Sequence, residues 1–422
     1  MNQLSKRKVV IWCINVLISL IPISLLFSPF LNSLVIASLT FYSFILFYFK
    51  NKNSLILPKI NKFILYPYLI FISFHFISLT YSSDILQGVS LLTRRTPLLL
   101  IPFIFYVNYE HLNTKVMLYT FLYGVFIVSV FTFFNACYSI YLNNESMDTF
   151  LNNYVRYFYV SFMPYQMHPT YFGLLLCTSL AVSFNFIFKK ESILVQTFFC
   201  LFFLFNIYLI SSQMTTFICL IVILLYFLRN LKKIYNALIY NILVSVIALV
   251  FISLILKGEY ITTTIVKTFK IDNTSNLFFR ASHFFTQGDI TRKKNWGSAC
   301  KVIERNFFLG VGLGDGVSEM QKHREKNTWI YKTKLNAHNQ YFEELIHFGV
   351  IGFSAFIFVL GGIFYLSKDN FFYLSLFLII FFGMITESIL NRQVGITLFT
   401  FSLSFIVFGK NKNLNLDRST KK

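Results

Sequence analysis

The chain has 422 residues, 56% hydrophobic and 13% charged, with 54 phenylalanines and a mean hydropathy of +0.64. Soluble domains average about 45–50% apolar and about 25% charged residues, so a soluble globular protein is excluded and an integral membrane protein is the ordinary reading. The net charge of +20 does not call for nucleic acid, because the placement of the basic residues accounts for it.

A lipid-crossing helix takes roughly 20 mostly apolar residues. In chain order, such segments fall at 9–28, 30–49, 63–80, 85–107, 116–141, 166–188, 193–210, 214–228, 236–256, 342–366, 371–390 and 394–409, about twelve in all. Lys6-Arg7-Lys8 precedes the first, but no small-residue cleavage site follows, so it reads as an uncleaved span. The expected organisation is helices 1–9 over 1–256, a long loop over 257–341, helices 10–12 over 342–409 and a basic tail over 410–422.

Basic residues are retained on the cytoplasmic side of short loops. With the N-terminus inside, nineteen Lys and Arg fall on cytoplasmic segments, and the short outer turns hold only Arg156 and Arg392. Both termini are then expected inside and the long loop outside. That loop carries fourteen basic residues between Lys257 and Lys334 against seven acids. Long loops cross largely regardless of charge, so the excess is either a solvated basic face or an attraction for a polyanion such as a diphosphate.

Five of the six cysteines (Cys13, Cys137, Cys177, Cys200, Cys219) lie in spans and Cys300 is alone in the loop. Nothing in their spacing suggests a metal site or a disulfide. Ionisable groups in or near spans are expensive and select for function. They are His75, Arg94, Arg95, His168, Glu387 and Arg392, all in the outer half of the expected topology, with Asn135, Asn206 and Gln213 at similar depth. An outward-opening polar cavity is the expectation. His75 taken alone reads as a satisfied core histidine, and Glu387 and Arg392 could pair with each other. Consecutive helical residues point about 100° apart, so Arg94 and Arg95 cannot easily share a partner, and at least one is expected to serve a bound anion.

His168-Pro169 follows an outer turn, and proline suits a first helical turn; the pair is expected to open the sixth span at the cavity rim. In the long loop, Trp296, Ala299 or Cys300, Ile303 and Phe307 recur at helical spacing, with Ser298, Lys301 and Arg305 opposite. This predicts a short amphipathic helix lying apolar face down on the membrane, with Arg292 one turn before Trp296. Gly310-Val311-Gly312-Leu313-Gly314-Asp315-Gly316 lacks the dinucleotide fingerprint; its glycines permit a tight turn. His338-Asn339 leads into the tenth span, where a neutral imidazole could act as a general base or simply start the helix.

Three motifs stand out: Arg292-x-x-x-Trp296; Glu304-Arg305-Asn306-Phe307-Phe308-Leu309-Gly310-Val311-Gly312-Leu313-Gly314; and Ala337-His338-Asn339-Gln340-Tyr341 followed by Gly349-Val350-Ile351-Gly352. With the span pattern, they resemble the O-antigen ligase and polymerase superfamily, bacterial enzymes acting on undecaprenyl-diphosphate-linked glycans. The resemblance implies an all-α polytopic membrane protein of the lipid-linked glycosyltransferase type, with a periplasmic loop between helices 9 and 10 in the bacterial inner membrane. It implies no cofactor and no metal, and as partners an undecaprenyl-diphosphate glycan, a lipid A-core or lipid-linked acceptor, and membrane lipid. Carried over by position, His338 matches the acceptor-activating histidine, Arg292 the loop arginine before Trp, and His168-Pro169 the outer-rim motif.

Arg94, Arg95 and Arg280 are added as diphosphate contacts on charge and placement, and Asn339 and Gln213 as polar substrate contacts. Gln213 stands in a Ser-rich turn where many ligases carry arginine, and His347 where relatives often carry an acid. Ligase and polymerase would share this pocket. A transporter or flippase is the remaining alternative; it would show broken helices and polar residues near the midplane in two related halves, and the sequence shows neither an internal repeat nor ionisable residues in the inner half.

Overall fold

A computed structural model of the chain describes residues 3–49, 58–145, 167–185, 193–210, 212–234 and 290–419. The described residues form helices and turns with no strand among them. That is the outcome lipid imposes, because a helix satisfies its backbone hydrogen bonds within one segment. In order they are α1 (Gln3–Ser24), α2 (Pro29–Phe49), α3 (Lys62–Ile77), α4 (Ile85–Arg94), α5 (Pro97–Val107), α6 (Thr114–Leu142), α7 (Pro169–Asn185), α8 (Ile193–Ile210), α9 (Gln213–Ile234), α10 (Ile290–Arg305), α11 (Gly316–Gln321), α12 (Trp329–Lys332), α13 (Gln340–Ser367), α14 (Phe371–Thr386) and α15 (Gln393–Ser419).

Among the described residues, seven helical segments are long and apolar enough to cross a membrane, among them Pro29–Phe49, Ile85–Val107 and Gln340–Ser367. Shorter apolar helices cover Val9–Ser24, Pro169–Phe184, Leu194–Ile210 and Phe371–Thr386. The chain is a multi-pass membrane protein. A helix stands on every expected span except 236–256, which lies outside the described residues, as do the expected loop from 257 to 289 and the turn at 146–166. Large apolar side chains such as Phe41, Phe63 and Leu86 stand exposed on the helix surfaces, as lipid contact requires.

The chain divides into two compact units, 1–125 with 294–422, and 126–293. In the first, α13 lies along α3, and α5 packs against α2 and α15. Small residues permit the close approach: a Cβ on Gly352 would meet Phe74, and one on Gly362 would meet Ile64, the small-residue contact that brings membrane helices together. In the second unit α7 packs on α8 and α9, with Gly173 against the Thr215 side chain. Pro169 does open α7, directly after His168.

Two breaks depart from the expected continuous spans. The segment expected over 85–107 is interrupted at Arg95 and Thr96. Pro97 lacks the N–H that would bond Thr93 O, and that carbonyl is taken instead by Thr96 N at 3.3 Å and Thr96 Oγ1 at 2.9 Å. The second break is inside α13, where Gly349 adopts φ 58° and ψ −169°.

The glycine-rich turn runs directly against this second break. Val311 N–H donates to Ile346 O at 2.8 Å, Gly312 N–H to His347 O at 3.0 Å, and Val350 N–H to Phe307 O at 2.8 Å. Gly310 and Gly312 also have positive φ, 68° and 89°, and a Cβ on Gly310 would sit 2.5 Å from Ile346 O. The glycines therefore do more than turn the chain after α10. They allow two irregular backbones to exchange hydrogen bonds, which keeps non-helical backbone within a span satisfied by protein.

The helix expected around Trp296 is present as α10, but its apolar face packs on protein instead of lipid. Ala299 and Val302 form a small core with Met320, Ala337 and Ile346, and Ile303, Val311, Val317 and Phe342 pack around it. Ser298, expected on the polar side, is buried, and Cys300 is exposed. The apolar stripe is thus displaced toward Val302. The apolar partners are supplied by Met320 and Val317 of α11 and by Phe342 and Ile346 of α13.

Candidate active site

Within the first unit, α4, the glycine turn, the 334–338 segment, α13 and the Asn391-Arg392 turn enclose a cleft of about 270 Å³. Its wall carries Arg94, Lys334 and Arg392 as cations, with His338, Glu343 and His347 as the remaining ionisable groups. All three cations are solvent-exposed. Three exposed positive charges around one concavity make a site that attracts an anion.

His338 sits at the rim of this cleft in an unusual conformation. Its φ is +49°, a region that non-glycine residues seldom enter and that costs about 1–3 kcal/mol when the surroundings enforce it. The enforcement is visible. Leu335 O accepts from Arg324 Nη2 at 2.7 Å, Asn336 O from Asn295 Nδ2 at 2.5 Å, and Ala337 O from Trp296 Nε1 at 3.1 Å. Asn336 Oδ1 takes the His338 N–H at 3.1 Å, and Ala337 N–H donates to Glu343 Oε1 at 2.5 Å.

Arg324 is itself held, donating to Asn295 Oδ1. Burial pulls its guanidinium below the usual value, and the Glu343 carboxylate opposes that shift. The Trp296 ring meets Phe342 edge-on at 5.8 Å, so α10 grips both the segment and the helix it enters.

His338 Nδ1 lies 3.9 Å from Glu387 Oε2. That separation is within ion-pair reach but longer than a hydrogen bond. Asn339 caps α13, its side-chain oxygen accepting from Tyr341 N–H at 2.9 Å and Phe342 N–H at 3.2 Å. Its position next to His338 thus reflects the start of the helix, and it is buried.

Arg95 does not join Arg94 in the cleft. It is 1% exposed, with Nε on Leu390 O at 3.0 Å, Nη1 against His75 Nε2 at 2.9 Å and Glu344 Oε1 at 3.1 Å, and Nη2 on Asn391 Oδ1 at 2.8 Å. Arginine has no acceptor, so His75 accepts through Nε2 and its Nδ1–H donates to Phe71 O at 2.9 Å. His75 is the satisfied core histidine its position suggests. The break before Pro97 turns Arg95 inward, where a buried Glu344 awaits it, and leaves Arg94 to the cleft.

Among the other sequence candidates, His168 is half-buried before α7, Gln213 opens α9, and Arg292 lies in the first turn of α10, one turn before Trp296. All three belong to the second unit. Arg280 lies outside the described residues. Lys334, Glu343 and Asn391 line the cleft without a site signal in the sequence. Lys334 is one of fourteen basic residues in its loop, Glu343 looks like one more acid at a helix start, and Asn391 carries no signal of its own.

Among the described residues no His, Cys, Asp or Glu side chains are grouped to hold a metal ion. The cleft combines a histidine, a carboxylate 3.9 Å from its Nδ1 and three exposed cations. That set can deprotonate a hydroxyl and stabilise a departing anion.

Residues 198–357 match the family model described as O-antigen ligase. This stretch, less than half of the chain, is similar to that family. The ligase-family segment includes α9, all of α10 to α12, and α13 to beyond its break, so the glycine turn, Lys334, His338, Glu343 and His347 all fall within it. Arg94, Asn391 and Arg392, on the other walls of the cleft, fall outside it. No curated protein matches the chain.

Proposed function

We propose that the chain is a membrane glycosyltransferase that moves a glycan from undecaprenyl diphosphate to a hydroxyl of an acceptor sugar, with lipid A-core as the acceptor. The observation that carries this reading is the pairing of His338 with Glu387 on the same cleft that Arg94, Lys334 and Arg392 line. The ligase-family match supports a lipid-linked glycan as substrate.

In this mechanism His338 Nε2 takes the proton of the acceptor hydroxyl as its oxygen bonds to the anomeric carbon. The bond from that carbon to the diphosphate oxygen breaks, and undecaprenyl diphosphate leaves with the electron pair. Glu387 stabilises the imidazolium, and Arg94, Lys334 and Arg392 hold the diphosphate charge, the effect that commonly dominates such a step. The catalytic role of Arg292 and the substrate-binding roles of Gln213, His168 and Arg280 rest on the family resemblance and on charge alone, while Arg95 and Asn339 act by shaping the cleft. Both termini are cytoplasmic and the cleft faces the periplasm, following the distribution of basic residues.

The test is complementation of cells lacking the chain, with surface polysaccharide and undecaprenyl-linked glycan run side by side. Long glycan accumulating on the lipid carrier while lipid A-core stays bare is the expected result. Single repeat units stalled on the carrier would instead make the same cleft a polymerase site, and unchanged glycans on both carriers would contradict a transferase.

A further inference from the structure

The Glu343 carboxylate sits at the centre of the cleft wall and is 1% exposed. Its Oε1 accepts from Ala337 N–H at 2.5 Å and Ser388 Oγ–H at 3.3 Å. Its Oε2 accepts from Asn391 Nδ2 at 2.8 Å and lies 3.6 Å from His347 Nε2. Ala337, Ser388 and Asn391 are each one residue from a group assigned to the chemistry: His338, Glu387 and Arg392. One buried carboxylate therefore ties together the backbone and side-chain neighbours of the base, of its acid partner and of a cleft cation.

We infer that Glu343 is the positioning residue that sets the separation of His338, Glu387 and Arg392. The inference rests on the glycosyl-transfer reading, and it adds a residue that touches neither substrate nor reacting atoms. A buried charge is retained at high cost unless its partners are fixed, and here the partners lie on the two segments that must be held in register. The register has a direction. Asn391 donates to Glu343 through Nδ2 while its Oδ1 accepts from Arg95 Nη2. An amide flip at Asn391 would break the arginine contact, so hydrogen-bond polarity between 343 and 391 is locked.

That lock supplies the test. Glu343→Gln keeps the shape and Oε1 but turns a donor toward the Asn391 amide, and Asn391→Asp sets two carboxylates against each other. The double variant, Glu343→Gln with Asn391→Asp, restores one donor and one acceptor. The new amide donates to the new carboxylate, which still accepts from Arg95.

The full chain is assayed in lipid nanodiscs with undecaprenyl-diphosphate-linked glycan extracted from the same cells as donor probe. Displacements on the ångström scale cost about 100-fold in rate, so each single variant is expected to lose at least about tenfold in maximal rate and the double to return to within about threefold. With rates taken per folded molecule, the donor concentration for half-maximal rate stays unchanged throughout, which a purely structural role would not give.

A double variant no faster than either single overturns the inference. Should Glu343→Gln fail to accumulate, Ser388→Ala removes one contact with the carboxylate still ionised, and an unchanged rate there also overturns it. His338→Ala in the same assay separates the two claims. Its inactivity combined with no rescue by the double variant refutes only the positioning role, and wild-type transfer by His338→Ala refutes both.

Discussion

Arg95 Nη1 and Glu344 Oε1 stand 3.1 Å apart with both side chains fully shielded. This pair fastens α4 to α13, and through Leu390 O and Asn391 it also fastens the turn before α15. Removing one member of a buried pair leaves an uncompensated charge and typically costs about 3–5 kcal/mol. Arg95→Met should therefore lower the melting temperature of the detergent-purified chain sharply. Arg95→Met with Glu344→Met should recover part of the loss. A single variant that melts like wild type would show that the pair is not closed.

The glycines divide into two classes with opposite outcomes. A Cβ on Gly349 would sit 2.3 Å from Phe308 backbone atoms, at φ 58°, whereas Gly297 and Gly361 have nothing within 4 Å of theirs. A positive φ with ψ near 180° is a conformation open essentially to glycine alone, before the clash. Gly349→Ala should abolish accumulation of folded protein, as read by size-exclusion chromatography. Gly361→Ala, in a helix, should leave stability unchanged or raise it by about 0.5–1 kcal/mol.

The three cleft cations should act on donor affinity. Arg94→Gln, Lys334→Gln and Arg392→Gln are each exposed changes that leave the folded packing alone. Each should reduce transfer efficiency by about 100-fold, the lower end for a lost charge-stabilising donor, with the melting temperature unmoved. Assays of transfer against donor concentration would register the change, and three neutral outcomes would move the diphosphate elsewhere.

Trp296→Phe isolates one clamp on the His338 segment. The ring contact with Phe342 survives, while the Nε1 bond to Ala337 O at 3.1 Å is lost. The expected stability cost is about 1 kcal/mol, accompanied by a drop in transfer rate because His338 is held less firmly at its positive φ. Thermal melting and transfer rate measured on one preparation check both halves.

Much of this arrangement is legible in the sequence, for a physical reason. Lipid forces helices wherever apolar runs are long enough, so a helix stands at every expected span that falls among the described residues. His338 and the glycine turn are legible as motifs because histidine before a span and closely spaced glycines are rare patterns. What depends on distant partners is not. The φ of Gly349 is set by hydrogen bonds to residues 307–312, far upstream, and nothing local in Phe348-Gly349-Val350 demands a break.

Arg94 and Arg95 look alike as letters. Only the turn before Pro97 and the location of Glu344 decide which faces the cleft. Lys334 is hidden among other basic residues, and Glu343 and Glu344 are adjacent acids with different direct partners, Asn391 and Arg95, which are themselves hydrogen-bonded. The apolar stripe of α10 is visible in the sequence as a helix, but whether lipid or α13 covers it is a tertiary fact.

The central claim is that His338 activates an acceptor hydroxyl in the cation-lined cleft. Its most direct test follows undecaprenyl diphosphate released from a lipid-linked glycan by the full chain in nanodiscs, with lipid A-core supplied as acceptor. Wild type should release one undecaprenyl diphosphate per glycan transferred, and His338→Ala should lose at least about 100-fold, the lower range for a general base, while still binding donor. Equal release by His338→Ala and wild type would contradict the account.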